Sequence, residues 1–131
     1  MRDRVVVDTN VLVYATFEDS EHHKEAYAVL QENEIVVPRI VLYEYLWVLA
    51  RLTGNPSFLE LKMKELSDFE LICEDYETVR RGVGRMLEEG ASLEMLNDYI
   101  VFSVALREGA LATYDKKLRK LASRSGLHVI P

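Results

Sequence analysis

The chain has one cysteine, Cys73, so no internal disulfide can brace it. It lies in the apolar stretch Glu70-Leu71-Ile72-Cys73, where it reads as a small buried hydrophobe. Prolines number three, and none falls inside a helical or strand pattern. There is no repeat, no low-complexity tract, no linker and no apolar run long enough to span a bilayer. The apolar segment that follows Met1-Arg2-Asp3-Arg4 is too short for the core of a signal peptide. These absences lead us to expect one domain over residues 1–131, in a reducing, cytoplasmic setting and away from membranes. An excess of positive charge is missing as well. The formal net charge of −6 argues weakly against nonspecific phosphate binding, although a divalent ion held by clustered carboxylates inverts the local sign.

Nearly half of the 131 residues are hydrophobic, enough for a single packed core. Short apolar runs alternate with helical periodicity, which predicts an α/β fold whose parallel sheet is covered on both faces. Strands are expected at residues 4–8, 35–37, 70–73, 110–114 and 127–130. A short helical turn is expected at 10–15. The next helix is capped by Ser20 and carries His22, Ala26 and Leu30. Residues 39–52 form a long apolar helix that stops at Thr53-Gly54-Asn55-Pro56, and another helix runs over 56–66. Asp75 caps a helix carrying Val79, Val83 and Met86, which Gly82 and Gly84 weaken by about 1 kcal/mol each relative to alanine. Helices through Asp98 to Glu108 and over 116–122 complete the chain.

Against this frame four acids stand out. Asp8 ends the apolar strand Val5-Val6-Val7. Glu44 interrupts an apolar helix, on the face of Ile40, Val48 and Leu52. Asp98 sits one turn before Val101 and Phe102 on the same face, and Asp115 follows the strand ending at Tyr114. Ionised carboxylates are costly to bury without a neutralising partner. Four in one small domain point to a shared one, and an all-oxygen donor set suits Mg2+ or Mn2+. Asp8 and Asp115 both end strands, so they lie on the sheet edge where open α/β folds bind ligands. Each acid also has an ordinary reading. Asp8 can start a turn, Asp115 can cap the next helix, Asp98 can be a first-turn acid, and Glu44 can pair with Arg39 or Arg51. Together they favour a metal-dependent nuclease.

Other residues give weaker signals. His22 and His23 read as exposed, and His128 as structural. Tyr43, Tyr45 and Trp47 crowd one helix, as core or as interface. Lys116, Lys117, Arg119, Lys120 and Arg124 form a basic cluster that is either a solvated helix or a phosphate-contact surface.

The pattern resembles the PIN-domain ribonucleases, especially the single-domain toxins of the VapC type. The segment Val5-Val6-Val7-Asp8-Thr9-Asn10-Val11-Leu12-Val13-Tyr14 looks like the first motif of that family. Glu44 matches its second acid, Asp98 in Leu96-Asn97-Asp98-Tyr99-Ile100 its third, and Ala112-Thr113-Tyr114-Asp115-Lys116 its closing motif. Leu118 stands where an aromatic is common, and Asn97 where a small or apolar residue is frequent.

The resemblance implies a three-layer α/β/α sandwich around a parallel sheet of four to five strands. It also implies one or two Mg2+ or Mn2+ ions held by Asp8, Glu44, Asp98 and Asp115, with Asn10 and Thr113 orienting those carboxylates. Lys116, Lys117 and Arg119 would contact the substrate. The implied activity is phosphodiester hydrolysis in single-stranded RNA without a protein nucleophile, Glu44 being a ligand or a base. The implied partners are a small antitoxin and a second copy of the chain; the aromatic-rich helix from Tyr43 through Tyr45 to Trp47, with Phe58, offers an apolar interface, although core burial explains the same residues. An RNA-processing nuclease and a catalytically inactive binding module share the pattern. A phosphorylated receiver domain matches less well, because Thr9 follows Asp8 where a second acid is required.

Overall fold

The computed structural model describes residues 2–131. Five strands, β1 (Arg4–Val7), β2 (Glu34–Pro38), β3 (Glu70–Ile72), β4 (Ala110–Ala112) and β5 (Val129–Ile130), form one parallel sheet in the order β3-β2-β1-β4-β5. Helices connect them: α1 (Thr9–Thr16) and α2 (His23–Glu32), then α3 (Arg39–Thr53) and α4 (Pro56–Leu66). Next come α5 (Tyr76–Glu88), a 3-10 turn (Leu93–Met95), α6 (Leu96–Glu108) and α7 (Lys116–Arg124). The fold is the expected three-layer sandwich, with five strands. Among the described residues no helix is long and apolar enough to cross a membrane.

Strand order creates the site's location. From β1 the chain steps to β2 and β3 in one direction, then returns across the sheet to β4 and β5. Right-handed crossovers therefore place α1 to α4 on one face and α5 to α7 on the other. Packing agrees: α1 lies against α2 and α3, and α3 against α4, while α6 lies against α5 and α7. The reversal falls between β1 and β4, whose register pairs Val5 with Ala110 and Val7 with Ala112. At such a switch point the carboxyl ends of the two strands open a crevice.

The core explains why these strands are continuous apolar runs. Val5, Val6, Val7, Val36, Val37, Leu111 and Ala112 are buried from both sides, with Val11 and Leu49 from one layer and Phe102, Leu118 and Leu121 from the other. Leu118 is fully buried, so an aliphatic side chain fills the place where an aromatic is common; Asn97 faces solvent, where nothing constrains its identity. Gly82 is where α5 crosses α6: a Cβ there would sit 2.7 Å from the Tyr99 carbonyl oxygen. Helix propensity lost at Gly82 is thus exchanged for close packing.

Polar groups tie down both ends of the sheet. Arg4, at the start of β1, donates to Glu34, Glu70 and Glu108, tying three strands and the end of α6 together. Glu74 accepts from the Ile40 amide at 2.8 Å and pairs with Arg39. It supplies the N-terminal cap that Pro38 cannot.

Several local expectations need correction. Cys73 is exposed rather than buried, because it follows β3, an edge strand with β2 as its one neighbour. Ser20 does not cap α2. Its hydroxyl is shared by the carbonyls of Tyr14 and Phe17, and α2 starts after His22 without a side-chain cap. His22 and His23 are half-buried, whereas His128 is exposed and only its carbonyl is engaged, by the Leu111 amide. Within α3 the aromatics divide: Tyr45 is buried, while Tyr43 and Trp47, one turn apart, are exposed.

Candidate functional site

The four acids reach the crevice from four elements. Asp8 follows β1 and caps α1, its Oδ1 accepting from the Thr9 amide at 2.8 Å. Asp115 follows β4 and caps α7, its Oδ1 accepting from the Leu118 amide at 2.9 Å. The capping reading of Asp115 is therefore correct, and Asp8, read as the start of a turn, caps a helix as well; neither excludes the other role, since a carboxylate offers about four acceptor positions. Asp98 lies in the first turn of α6, and Glu44 lies inside α3.

All four line one open cavity of about 310 Å³, together with Thr9, Asn10, Val13, Tyr14 and Val48. Among the described residues none of the four pairs with a lysine or arginine. Arg39 is taken by Glu74.

Two side chains hold this arrangement. The Thr113 hydroxyl, fully buried, donates to Asp8 Oδ2 at 2.8 Å and accepts from the Asp115 amide at 3.1 Å. Asn10 Nδ2 lies 3.4 Å from both Asp8 Oδ2 and Thr113 Oγ1, and Asn10 Oδ1 accepts from the Tyr114 amide at 3.1 Å. The start of α1 is thereby locked to the segment after β4.

The electrostatics follow from the crowding. Burial pushes the Asp8 carboxyl up, against the pull of its bonds from Thr113 and Thr9, and the Glu44 and Asp115 charges push it further. Asp98 is raised to about 7, first by burial and then by Asp8, Asp115 and Glu44; Lys117 is the cation that lowers it. The acids therefore repel one another across a common space.

As they stand, no three His, Cys, Asp or Glu side chains among the described residues are grouped tightly enough to be a ready-made ion site. The donor chemistry nevertheless fits a hard divalent cation. Every titratable group on the cavity is a carboxylate or Tyr14, and Thr9 Oγ1, on the same wall, is buried without a hydrogen-bond partner. Full charge on four acids drives them apart, and a cation reverses that force.

The basic cluster is less uniform than expected. Arg119 donates to the carbonyls of Thr113 and Pro131, and Arg124 pairs with Glu89, so both serve the fold. Lys116 and Lys117 are exposed beside Asp115. Thr9, Val13 and Tyr14 are cavity residues to which the sequence reading gave no role, and Val48, placed there on the face of Glu44, joins them. Helical spacing carries the signal for two of them: Tyr14 is one turn from Asn10, and Val48 one turn from Glu44.

The class of the protein turns on a five-stranded parallel α/β sandwich with four carboxylates, none paired with a lysine or arginine among the described residues, at its switch point. The family model for the PIN domain matches residues 5–124, and the chain belongs to that family, whose members are nucleases. Its fold is similar to that of VapC20 of Mycobacterium tuberculosis, described as a toxin cleaving the sarcin-ricin loop. The identity is 16%, the TM-score 0.77, and 97% of this chain and 99% of that one are covered. A toxin–antitoxin complex from Klebsiella pneumoniae is 21% identical with a TM-score of 0.73, covering 97% and 96%. VapBC2 from Rickettsia felis, bound to a promoter DNA fragment, is 18% identical with a TM-score of 0.67, covering 96% of each chain. No curated protein sequence is significantly similar to the chain.

Proposed function

We propose that the protein is a Mg2+- or Mn2+-dependent endoribonuclease that hydrolyses phosphodiester bonds in single-stranded RNA, and that it is the toxin of a cytoplasmic toxin–antitoxin pair. The observation that carries this reading is the convergence of Asp8, Glu44, Asp98 and Asp115 on one cavity without a cationic partner. Asp8, Asp98 and Asp115 would hold one or two ions, with Glu44 as a further ligand or as a base. A bound divalent ion supplies Lewis acidity and lowers the pKa of water near the scissile phosphate. Thr113 and Asn10 hold the Asp8 carboxylate, Thr113 also fixes the Asp115 backbone amide, and Asp8 and Asp115 fix their own orientation by capping α1 and α7. Lys116 and Lys117 would meet the RNA backbone.

The exposed Tyr43 and Trp47 of α3 provide apolar surface for an antitoxin or for a second copy of the chain. The solved toxin–antitoxin complexes of similar fold support such a partner. Incubation of the purified protein with single-stranded RNA and Mn2+ or Mg2+ tests the reading. Cleavage should appear, stop with EDTA, and be absent in Asp8→Asn. Cleavage that persists in EDTA or in Asp8→Asn rules out the proposed chemistry.

A further inference from the structure

Beside the carboxylates stands a cluster of three rings. His22 stacks on Tyr114, with centroids 4.4 Å apart and planes 13° from parallel. Tyr14 meets both edge-on, at 5.0 Å from His22 and 5.1 Å from Tyr114. Tyr14 also lines the carboxylate cavity, and Tyr114 directly precedes Asp115. The rings come from three segments that share no strand or helix: α1, the loop before α2, and the loop after β4.

The cluster is held rigidly. The Tyr114 hydroxyl donates to Glu25 at 2.9 Å, and its amide is fixed by Asn10. The loop carrying His22 is pinned to the Tyr14 carbonyl from both sides, by the Ser20 hydroxyl at 2.8 Å and by His23 Nδ1 at 3.0 Å. His22 stacks on Tyr114 through one face of its ring and keeps 35% of its side-chain surface in solvent.

Resting on the ribonuclease reading above, we infer that His22, Tyr14 and Tyr114 form a nucleobase subsite, on which a base flanking the scissile phosphate of single-stranded RNA stacks. Stacked aromatics are the usual sequence-tolerant means of holding unpaired bases, and they work beside a channel that binds the backbone. Lys116 and Lys117 begin two residues after Tyr114. The rings thus position the strand, and the carboxylates act on the phosphate next to it.

The test uses the full chain and a fluorescein-labelled single-stranded RNA, intact or with one abasic nucleotide on either side of the cleaved bond. In Mn2+, His22→Ala should raise KM about tenfold with kcat within about twofold, and His22→Phe should restore KM. The abasic RNA should show the same KM penalty with the wild type and almost none with His22→Ala. A second arm measures binding by fluorescence anisotropy in the Asp98→Asn background. There His22→Ala and the abasic RNA should each weaken binding about tenfold, without adding. Unchanged KM and binding in His22→Ala, or an equal abasic penalty with and without the ring, overturns the subsite. So does a lowered melting temperature with normal KM, which marks the cluster as packing alone. If no RNA is cleaved yet the binding pattern holds, the subsite stands and the nuclease reading falls.

Discussion

Asp98→Asn should make the metal-free protein more stable, and the size of the effect can be worked out. Burial and three neighbouring carboxylates raise the Asp98 carboxyl from 3.8 to about 7. The folded state therefore holds a proton that the unfolded chain has already released between about pH 4 and pH 7. Stability from this group is fully present below pH 4 and is lost as pH rises through 7. Each tenfold change in proton affinity is worth about 1.4 kcal/mol, or about 4 kcal/mol over this interval. The site is open to water, which screens the repulsion, so we take about half, near 2 kcal/mol. Urea unfolding in EDTA should show the wild-type midpoint falling by about 1 M relative to that of the Asn variant from pH 4 to pH 8, a difference from which the other titrating acids, Asp8 among them, drop out. The two proteins should nearly coincide at pH 4, and the variant should lead at pH 8. Mn2+ at about 100 times its dissociation constant should return about 2.7 kcal/mol to the wild type and little to the variant. Equal midpoints at pH 8 in EDTA would refute the claim that Asp98 is repelled by its neighbours.

Other perturbations separate the site from its scaffold. Thr113→Val removes the donor to Asp8 and the acceptor for the Asp115 amide; cleavage should fall about 10- to 100-fold and stability by about 1–2 kcal/mol, read from initial rates and urea midpoints. Gly82→Ala forces a methyl against the Tyr99 carbonyl and should cost about 1–3 kcal/mol, whereas Gly84→Ala, which meets nothing within 4 Å, should stabilise by up to about 1 kcal/mol in thermal unfolding. Arg4→Met should lower stability through Glu34, Glu70 and Glu108 while leaving the KM for RNA unchanged, because that network lies at the opposite ends of the strands.

The parts of the fold legible in the sequence are those set by local chemistry. The stop after α3 is one: Gly54 adopts a left-handed conformation, and Asn55 caps the helix that Pro56 opens. The cap at Asp75 is another, with its carboxylate on the Thr78 amide. What stayed hidden depends on which elements meet. Nothing local reveals that β1 lies between β2 and β4, yet that adjacency brings Asp8 next to the Thr113–Asp115 segment. Cys73 reads as buried from its neighbours, but the strand before it is an edge. His22 reads as exposed from a charged helical context, until Tyr14 and Tyr114 arrive from other segments to stack on it. Arg119 reads as a free cation, until the chain end returns with a carbonyl that takes it up.

The acids of the site also differ in how the fold holds them, and this bears on their chemistry. Asp8 and Asp115 each give one oxygen to a helix N-terminus, and Asp98 lies in the first turn of a third helix. Helix ends favour such charges by about 0.3–1 kcal/mol each, far less than burying an ionised carboxylate costs. The ends of α1 and α7 therefore orient Asp8 and Asp115 without neutralising them, while Asp98, which makes no cap bond at the start of α6, is raised to about 7. Glu44 lies within α3, away from its ends, and neither its carboxylate nor that of Asp98 accepts a hydrogen bond among the described residues. The Glu44 side chain is longer than those of the aspartates and has the wider reach across the cavity, which is what the proposed choice between ligand and base asks of it.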